Sequence, residues 1–231
     1  MKTLILIPTY NERENIENLI SEIVKLNQDF YFLVADDSST DGTAEILDRI
    51  AQANPRALVM HRCGKRGRGI SAREGFKRAL QEKPDYIIEM DADFSHDPKY
   101  IPVFLEEIRN CDVVIGSRFV KGGKVLGSKS LRNYLSWWAQ FFSSLILGLK
   151  IADATSGFRC FKRYVLESLD WDELISRGPA IVEEMDYYIQ KKGFKIKEIP
   201  IIFCPRIAGR SKLNFIKLLD VFCTLIRVRL S

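Results

Sequence analysis

The first half of the chain repeats one pattern: short apolar runs alternate with segments whose apolar residues recur at helical spacing. "TLILIPT", "FYFLVA", "ALVMH", "YIIEM" and "DVVIG" read as five buried strands. Between them, Ile16, Leu19, Ile20, Ile23 and Val24 share one helical face, with Asn11 as the expected cap. "STDGT" turns into a helix carrying Ile46, Leu47 and Ile50, and a further helix is expected from Ile70 to Gln81. Strand and helix alternating at this spacing predict an α/β fold with a mostly parallel sheet. Such sheets take ligands outside the carboxyl ends of their strands. Those ends carry Pro8-Thr9-Tyr10, Asp36-Asp37, Asp91-Ala92-Asp93 and Ser117-Arg118, which places a candidate site before any chemistry is known.

The second half is less regular. Residues 120–130 form a loop rich in glycine and lysine, "DATSGFRCF" reads as a loop entering a helix, "FKIKEIPIIF" as a strand, and "RIAGRSK" as a basic loop before the last helix. At 231 residues the chain is one domain with at most a short appendage. The expected division is a catalytic domain over 1–212 and an amphipathic helix over 213–231.

Several function classes fall away. Five scattered cysteines without a CxxC pair, and only His61 and His96, argue against a zinc site or a disulfide framework. No GxGxxG follows the first strand and no GK[ST] closes "GKRGRG", so neither a dinucleotide-binding oxidoreductase nor a P-loop phosphotransferase is indicated. The apolar run near the N-terminus is too short for a signal peptide, so the cytoplasmic side is expected. The longest apolar run, "WWAQFFSSLILGL", has thirteen residues, short of the ~20 that span a bilayer.

What remains is a charge pattern. Asp91 and Asp93 lie two apart and, in an extended segment, point the same way. Like charges this close call for a cation between them, and oxygen ligands without His or Cys suit Mg²⁺ or Mn²⁺. Asp36 or Asp37 is expected to contact a base or ribose, and Asp41 to shape the turn. Asp97, before Pro98, reads as a helix cap, and His96 as a shaping residue. Arg118, Arg132 with Ser136 one helical turn on, and Arg206, Arg210 and Lys212 in one loop suggest that two phosphate-bearing substrates meet here. The net charge of +5 suits an anionic substrate or membrane surface.

Taken in order, "IPTYNERENI", "ADDSSTDGT", "GKRGRG", "MDADFSHDP", "GSRFVKGG", "DATSGFRCFKR" and "AGRSKL" resemble the GT-A-fold, inverting glycosyltransferases of the polyprenyl-phosphate (dolichyl-phosphate) mannosyltransferase type, over nearly the whole chain. The resemblance implies a donor nucleotide framed by Pro8, Tyr10, Glu12, Asp36, Asp37, Lys65, Gly67 and Ala92. It implies a metal on Asp91 and Asp93, with Ser95 where some relatives place a metal-reaching Gln. It implies an acceptor phosphate gripped by Arg118, Arg132 and Ser136, with Arg206, Ser211 and Lys212 closing over the site. Asp91, Asp93 and Arg118 are thus the expected catalytic set. The implied donor is GDP-mannose, the acceptor a polyprenyl phosphate; nucleic acid is not an expected partner.

Two departures stand out: Arg68 replaces an aliphatic residue usual in the glycine loop, and "GPAIVEEM" replaces a segment that usually carries an aromatic and a Gln near the sugar. A phosphate monoester has its second pKa near ~6 and is anionic at neutral pH, so a lipid-phosphate acceptor needs no strong base. A hydroxyl acceptor, or a UDP-sugar donor, is the alternative reading; the hydroxyl would need a carboxylate such as Glu183 or Glu184.

From Leu213 to Leu230 polar residues form a narrow stripe beside a wide apolar arc. With Trp137, Trp138, Phe141 and Phe142 this suggests an interfacial platform on the cytoplasmic face of a membrane, or packing within a homodimer. A membrane-embedded partner subunit would also fit.

Overall fold

The computed structural model describes residues 1–26, 29–127, 140–204 and 215–230. Five strands, β1 (Thr3–Thr9), β2 (Phe30–Asp36), β3 (Ala57–His61), β4 (Tyr86–Glu89) and β5 (Val113–Ser117), match the five apolar runs. They are joined by α1 (Ile16–Val24), α2 (Thr43–Ala53), α3 (Arg68–Gln81) and α4 (Ile101–Glu107). Then come β6 (Lys124–Val125), the helical stretch described over 140–147 (α5), β7 (Arg159–Lys162), α6 (Arg163–Glu167), α7 (Ile181–Lys191), β8 (Ile196–Pro200), β9 (Ile202–Phe203) and α8 (Phe215–Leu230).

The main sheet runs β3-β2-β1-β4-β7-β5-β8, and β6 pairs with β9 in a small second sheet. Every pairing in the main sheet is parallel except those of β7, which is antiparallel to both β4 and β5. The mostly parallel sheet is as expected. The loop expected over "DATSGFRCF" is corrected: its last residues are β7. Four residues with charges at both ends carry no alternating pattern. The strand exists because β4 and β5 leave a gap between them that a hydrogen-bonded neighbour must fill.

The two faces of the sheet bury two cores, and the period of two along each strand sorts residues between them. Leu4, Leu6, Leu33, Ala35 and Ile87 face α3, α6, α7 and α8; Ile5, Ile7, Phe32, Val34 and Ile88 face α1, α2 and α4. Strands covered on both faces read as continuous apolar runs, which is why β1, β2, β4 and β5 were legible; β3, at the sheet edge, is apolar but only partly buried. Phe76 of α3 stacks on Trp171 at 5.3 Å and meets Phe161 edge-on at 5.7 Å, with no exposed surface. Phe76→Ala would cost about 3–5 kcal/mol by this loss of contact.

Asn11 does not cap α1. It sits at φ +55°, and its side-chain oxygen accepts the Thr40 N–H at 2.9 Å. Asn15 holds the N-cap position without a side-chain capping bond; its amide donates instead to Glu12 Oε2 at 2.8 Å. The first turn after β1 is therefore tied to the loop after β2, which fixes two edges of the candidate site together.

Candidate active site

The carboxyl ends of β1 to β5 lie on one edge of the sheet, because these five strands are mutually parallel. At the β1–β2 edge, the Asp37 N–H donates to the Thr9 carbonyl at 2.8 Å. Asp36 is buried and accepts hydrogen bonds from the Ser39 N–H and hydroxyl. Asp37 pairs with Arg62 and accepts the Gly67 N–H at 3.3 Å. Of the two acids, Asp37 keeps more exposed surface, 14% of its side chain against 2%. His61 bridges Asp48 at 2.9 Å and Asp36 at 3.6 Å, and its pKa is raised, chiefly by the Asp48 hydrogen bond. Asp41 accepts from the Thr43 N–H at 3.0 Å and the Thr43 hydroxyl at 2.6 Å, the turn-shaping role expected of it. Thr43 in turn accepts the Glu12 N–H at 3.0 Å.

The glycine loop lies across this edge. Arg66 donates to the Tyr10 hydroxyl at 2.7 Å and to the Ser38 carbonyl at 3.0 Å, with its guanidinium 4.7 Å from the Tyr10 ring centre. The sequence reading singled out Lys65 and passed over Arg66; in a basic run, only the fold shows which side chain turns toward Tyr10. The glycines serve close packing. A Cβ on Gly67 would stand 2.6 Å from the Arg177 carbonyl oxygen, and one on Gly69 would overlap the Ser176 carbonyl. Phosphate-cradling loops share this need for bare backbone, but here the close neighbours are residues 176–178.

The acid cluster follows β4. Asp93 is buried, and its Oδ1 accepts the Ser95 N–H at 3.1 Å and the Ser95 hydroxyl at 2.6 Å. Phe94 adopts φ +60°, which turns the chain sharply between them. The Asp91 N–H donates to His96 Nδ1 at 2.9 Å, so the neutral ring carries its proton on Nε2. Burial holds the His96 pKa low, against the pull of Asp91 and Asp93. The ring stacks on Phe158 at 4.9 Å, consistent with a shaping role. Asp97 caps the next turn by accepting the Lys99 N–H at 3.0 Å. Asp91 keeps 30% of its side chain exposed, and Arg68 approaches it at 3.4 Å and Glu89 at 3.2 Å.

Two hard carboxylates, one partly open and one braced, fit a Mg²⁺ or Mn²⁺ ion that takes its other ligands from water and a diphosphate. Among the described residues no cluster of three His, Cys, Asp or Glu forms a closed metal cage.

Beyond Phe203, whose ring meets His96, lies Arg118. Its Nε and Nη2 donate to Asp153 at 2.8 and 2.6 Å, and Nη2 also reaches the Thr155 hydroxyl at 2.6 Å. The guanidinium sits 5.3 Å from the Phe203 ring centre, and Phe203 meets His96 edge-on at 6.0 Å. The acid and basic groups thus flank one aromatic wall. Glu198 holds the Asp153 loop by accepting the Ala152 and Asp153 N–H groups at 2.8 and 2.9 Å. Arg132, Ser136, Arg206, Ser211 and Lys212 lie outside the described residues.

Glu184 is fully buried, and its two oxygens accept the Ile175 and Ser176 N–H groups at 2.8 and 2.9 Å. Both are committed to holding the loop that packs on the glycine run, which disfavours Glu184 as a base. Beside it, Glu183 is raised to about 7, first by burial and then by the neighbouring Asp186 charge. Arg159 on β7 is buried and pairs with Asp186. This pair had no sequence signal, since its members are 27 residues apart.

The chain matches the Glycosyl transferase family 2 over residues 4–170. It is 36% identical to an undecaprenyl-phosphate mannosyltransferase of Micrococcus luteus over 93% of this chain and 88% of that protein. It is 38% identical to a polyprenol monophosphomannose synthase of Mycolicibacterium smegmatis, over 92% and 81%. Its fold resembles glucosyl-3-phosphoglycerate synthase of Mycobacterium tuberculosis, solved with Mn²⁺, UDP and glucosyl-3-phosphoglycerate, with TM-score 0.70 at 20% identity over 98% of this chain and 79% of that one. A mannosyltransferase of Pyrobaculum calidifontis, solved with GDP-mannose and Mn²⁺, superposes with TM-score 0.57 at 18% identity over 91% and 58%. The sheet order, the acid cluster after β4 and these likenesses agree: the chain is a GT-A-fold glycosyltransferase and belongs to glycosyl transferase family 2.

Proposed function

We propose that the enzyme transfers mannose from GDP-mannose to the phosphate of a polyprenyl phosphate, with inversion at the sugar carbon. The observation that carries this reading is an acidic and a basic group on one sheet edge, Asp91 and Asp93 beside His96 and Arg118 beside Phe203, which meets His96. The two relatives named for polyprenyl-phosphate mannosyl transfer support the choice of sugar and acceptor.

In this reading Asp91 and Asp93 hold Mg²⁺ or Mn²⁺ on the donor diphosphate, where the ion would neutralise charge on the leaving group. Tyr10, Glu12, Asp37, Lys65 and Gly67 frame the nucleotide, with Ala92 and Pro8 as backbone walls. Arg118 orients the acceptor phosphate, and Asp153 keeps the guanidinium plane from swinging. The acceptor oxygen is already anionic, so the chain supplies position rather than a base. Arg132, Ser136, Arg206 and Lys212 complete the phosphate grip.

The acceptor's apolar tail calls for a lipid surface. Phe141, Phe142, Leu145, Ile226 and Leu230 are exposed, between 40% and 81%. Leu225 and Val228 of α8 pack into the core, and Phe222 meets Phe142 edge-on at 5.9 Å, so α8 is docked rather than separate. No described helix is long and apolar enough to cross a membrane. This supports a peripheral contact, with α8 and α5 at the interface.

The test is transfer of radiolabel from GDP-mannose into an organic-extractable product with polyprenyl phosphate and Mg²⁺. Label in that phase, lost with EDTA and absent with UDP-glucose, is expected. Transfer from UDP-glucose alone would overturn the donor assignment, and a product with the donor's anomeric configuration would overturn inversion.

A further inference from the structure

Arg68 stands where the loop's glycines bring the start of α3 against the acid cluster. Its Nη2 lies 3.2 Å from Glu89 Oε1 and 3.4 Å from Asp91 Oδ1, and its charge also acts on Asp93. Three carboxylates within five residues thus share one covalently attached cation. The space for it is provided by Gly157, where a Cβ would stand 3.0 Å from Arg68 Nη2 and 3.7 Å from Asp91 Oδ1. Glu89 is 1% exposed, and its Oε1 makes no hydrogen bond among the described residues; the Arg68 guanidinium at 3.2 Å, with the charge of Arg159, offsets part of its burial. Arg68 itself keeps 27% of its side chain exposed and so retains room to turn.

We propose that Arg68 is an internal counter-ion of the Asp91–Asp93 pair, which competes with the divalent cation for Asp91 and so sets the metal affinity of the enzyme before the donor arrives. The inference rests on the reading of Asp91 and Asp93 as the metal ligands. A divalent ion approaching Asp91 meets a positive charge already 3.4 Å from its Oδ1. That charge must move or be tolerated, and both cost affinity. An arriving diphosphate reverses the balance, because it gives the planar guanidinium a new pair of anionic oxygens to bind and releases Asp91 to the metal. Metal and donor then bind with positive coupling, and each raises the other's affinity by the same factor.

Direct Mn²⁺ titration followed by electron paramagnetic resonance, with no donor present, tests this. Arg68→Leu is expected to bind Mn²⁺ about tenfold more tightly than the native chain. Arg68→Lys, which keeps the charge on a flexible stem, is expected to stay within about threefold of native. Repeating the titration with GDP should close most of the gap between native and Arg68→Leu. Because Arg68→Leu strips the buried Glu89 of its partner, Arg68→Leu with Glu89→Gln, compared with Glu89→Gln alone, repeats the test without that strain. Unchanged or weaker Mn²⁺ binding on losing Arg68, in the single variant or across that pair, overturns the proposal. Asp93→Ala separates the two levels. If it loses Mn²⁺ while Arg68→Leu matches native, the metal site stands and the role of Arg68 fails. If Asp93→Ala binds Mn²⁺ as native does, the metal reading itself fails.

Discussion

Arg118 and Asp153 form a two-point fork, with guanidinium Nε 2.8 Å and Nη2 2.6 Å from the two carboxylate oxygens. Asp153 has no exposed side-chain surface, whereas Arg118 keeps 14%. The acid is therefore a buried anchor, and the base presents its remaining edge outward. Two bonds fix the plane as well as the position of the guanidinium, which one bond cannot do.

Arg118→Ala should abolish transfer, by at least about 100-fold, while leaving donor affinity unchanged. Asp153→Ala should sit between, lowering turnover about 10-fold and raising the acceptor KM, because the guanidinium is kept but no longer aimed. Steady-state kinetics against polyprenyl phosphate, with calorimetric titration of GDP, separates the two. Loss of donor binding in Arg118→Ala would move this residue to the donor side.

Asp93→Ala should remove both Mn²⁺ binding and transfer. Ser95→Ala removes one hydrogen bond that braces Asp93 and should cost about 1 kcal/mol in the affinity for metal. Metal titration of both variants checks the order of the effects.

Glu184→Gln should lower stability rather than chemistry. The amide places a donor where a carboxylate oxygen accepted the Ile175 or Ser176 N–H. The expected cost is about 1–3 kcal/mol, seen as a reduced Tm, with turnover retained below it. A normal Tm with no transfer would restore Glu184 as a base and favour a hydroxyl acceptor.

Glu183 gives a pH signature. Its pKa is raised from 4.5 in the ordinary state to about 7 in the fold. Between these values the unfolded chain has released the proton and the folded chain still holds it. Stability therefore falls as pH rises through this window, and the loss is complete above the folded value. The effect is on the order of 3 kcal/mol. Glu183→Gln stays neutral at every pH, so its Tm should fall less between pH 5 and pH 8 than that of the native chain. Parallel pH dependences would show that Glu183 is not the group responsible.

Binding to liposomes containing anionic lipid is expected, with Phe142→Ser and Leu145→Ser together reducing it several-fold. Flotation reads this directly, and an unchanged bound fraction would exclude Phe142 and Leu145 from the membrane contact.

The sequence determined the five parallel strands: strands buried on both faces must be apolar throughout, and Leu4 to Ile7 or Leu33 to Ala35 allow little else, while the edge strand β3 shows as a shorter apolar run. It also determined where the acids stand, since a strand end in such a sheet is a fixed place, and it marked Asp97 and Asp41 as turn-shaping residues from their position before Pro98 and Gly42. It could not reveal β7, whose four residues become a strand only once β4 and β5 stand on either side. Nor could it pair Arg159 with Asp186, Arg118 with Asp153 or Arg68 with Asp91, because a charge carries no information about which distant opposite charge it meets. Tertiary structure alone decided those, by bringing residues from distant segments within ion-pair distance of one another.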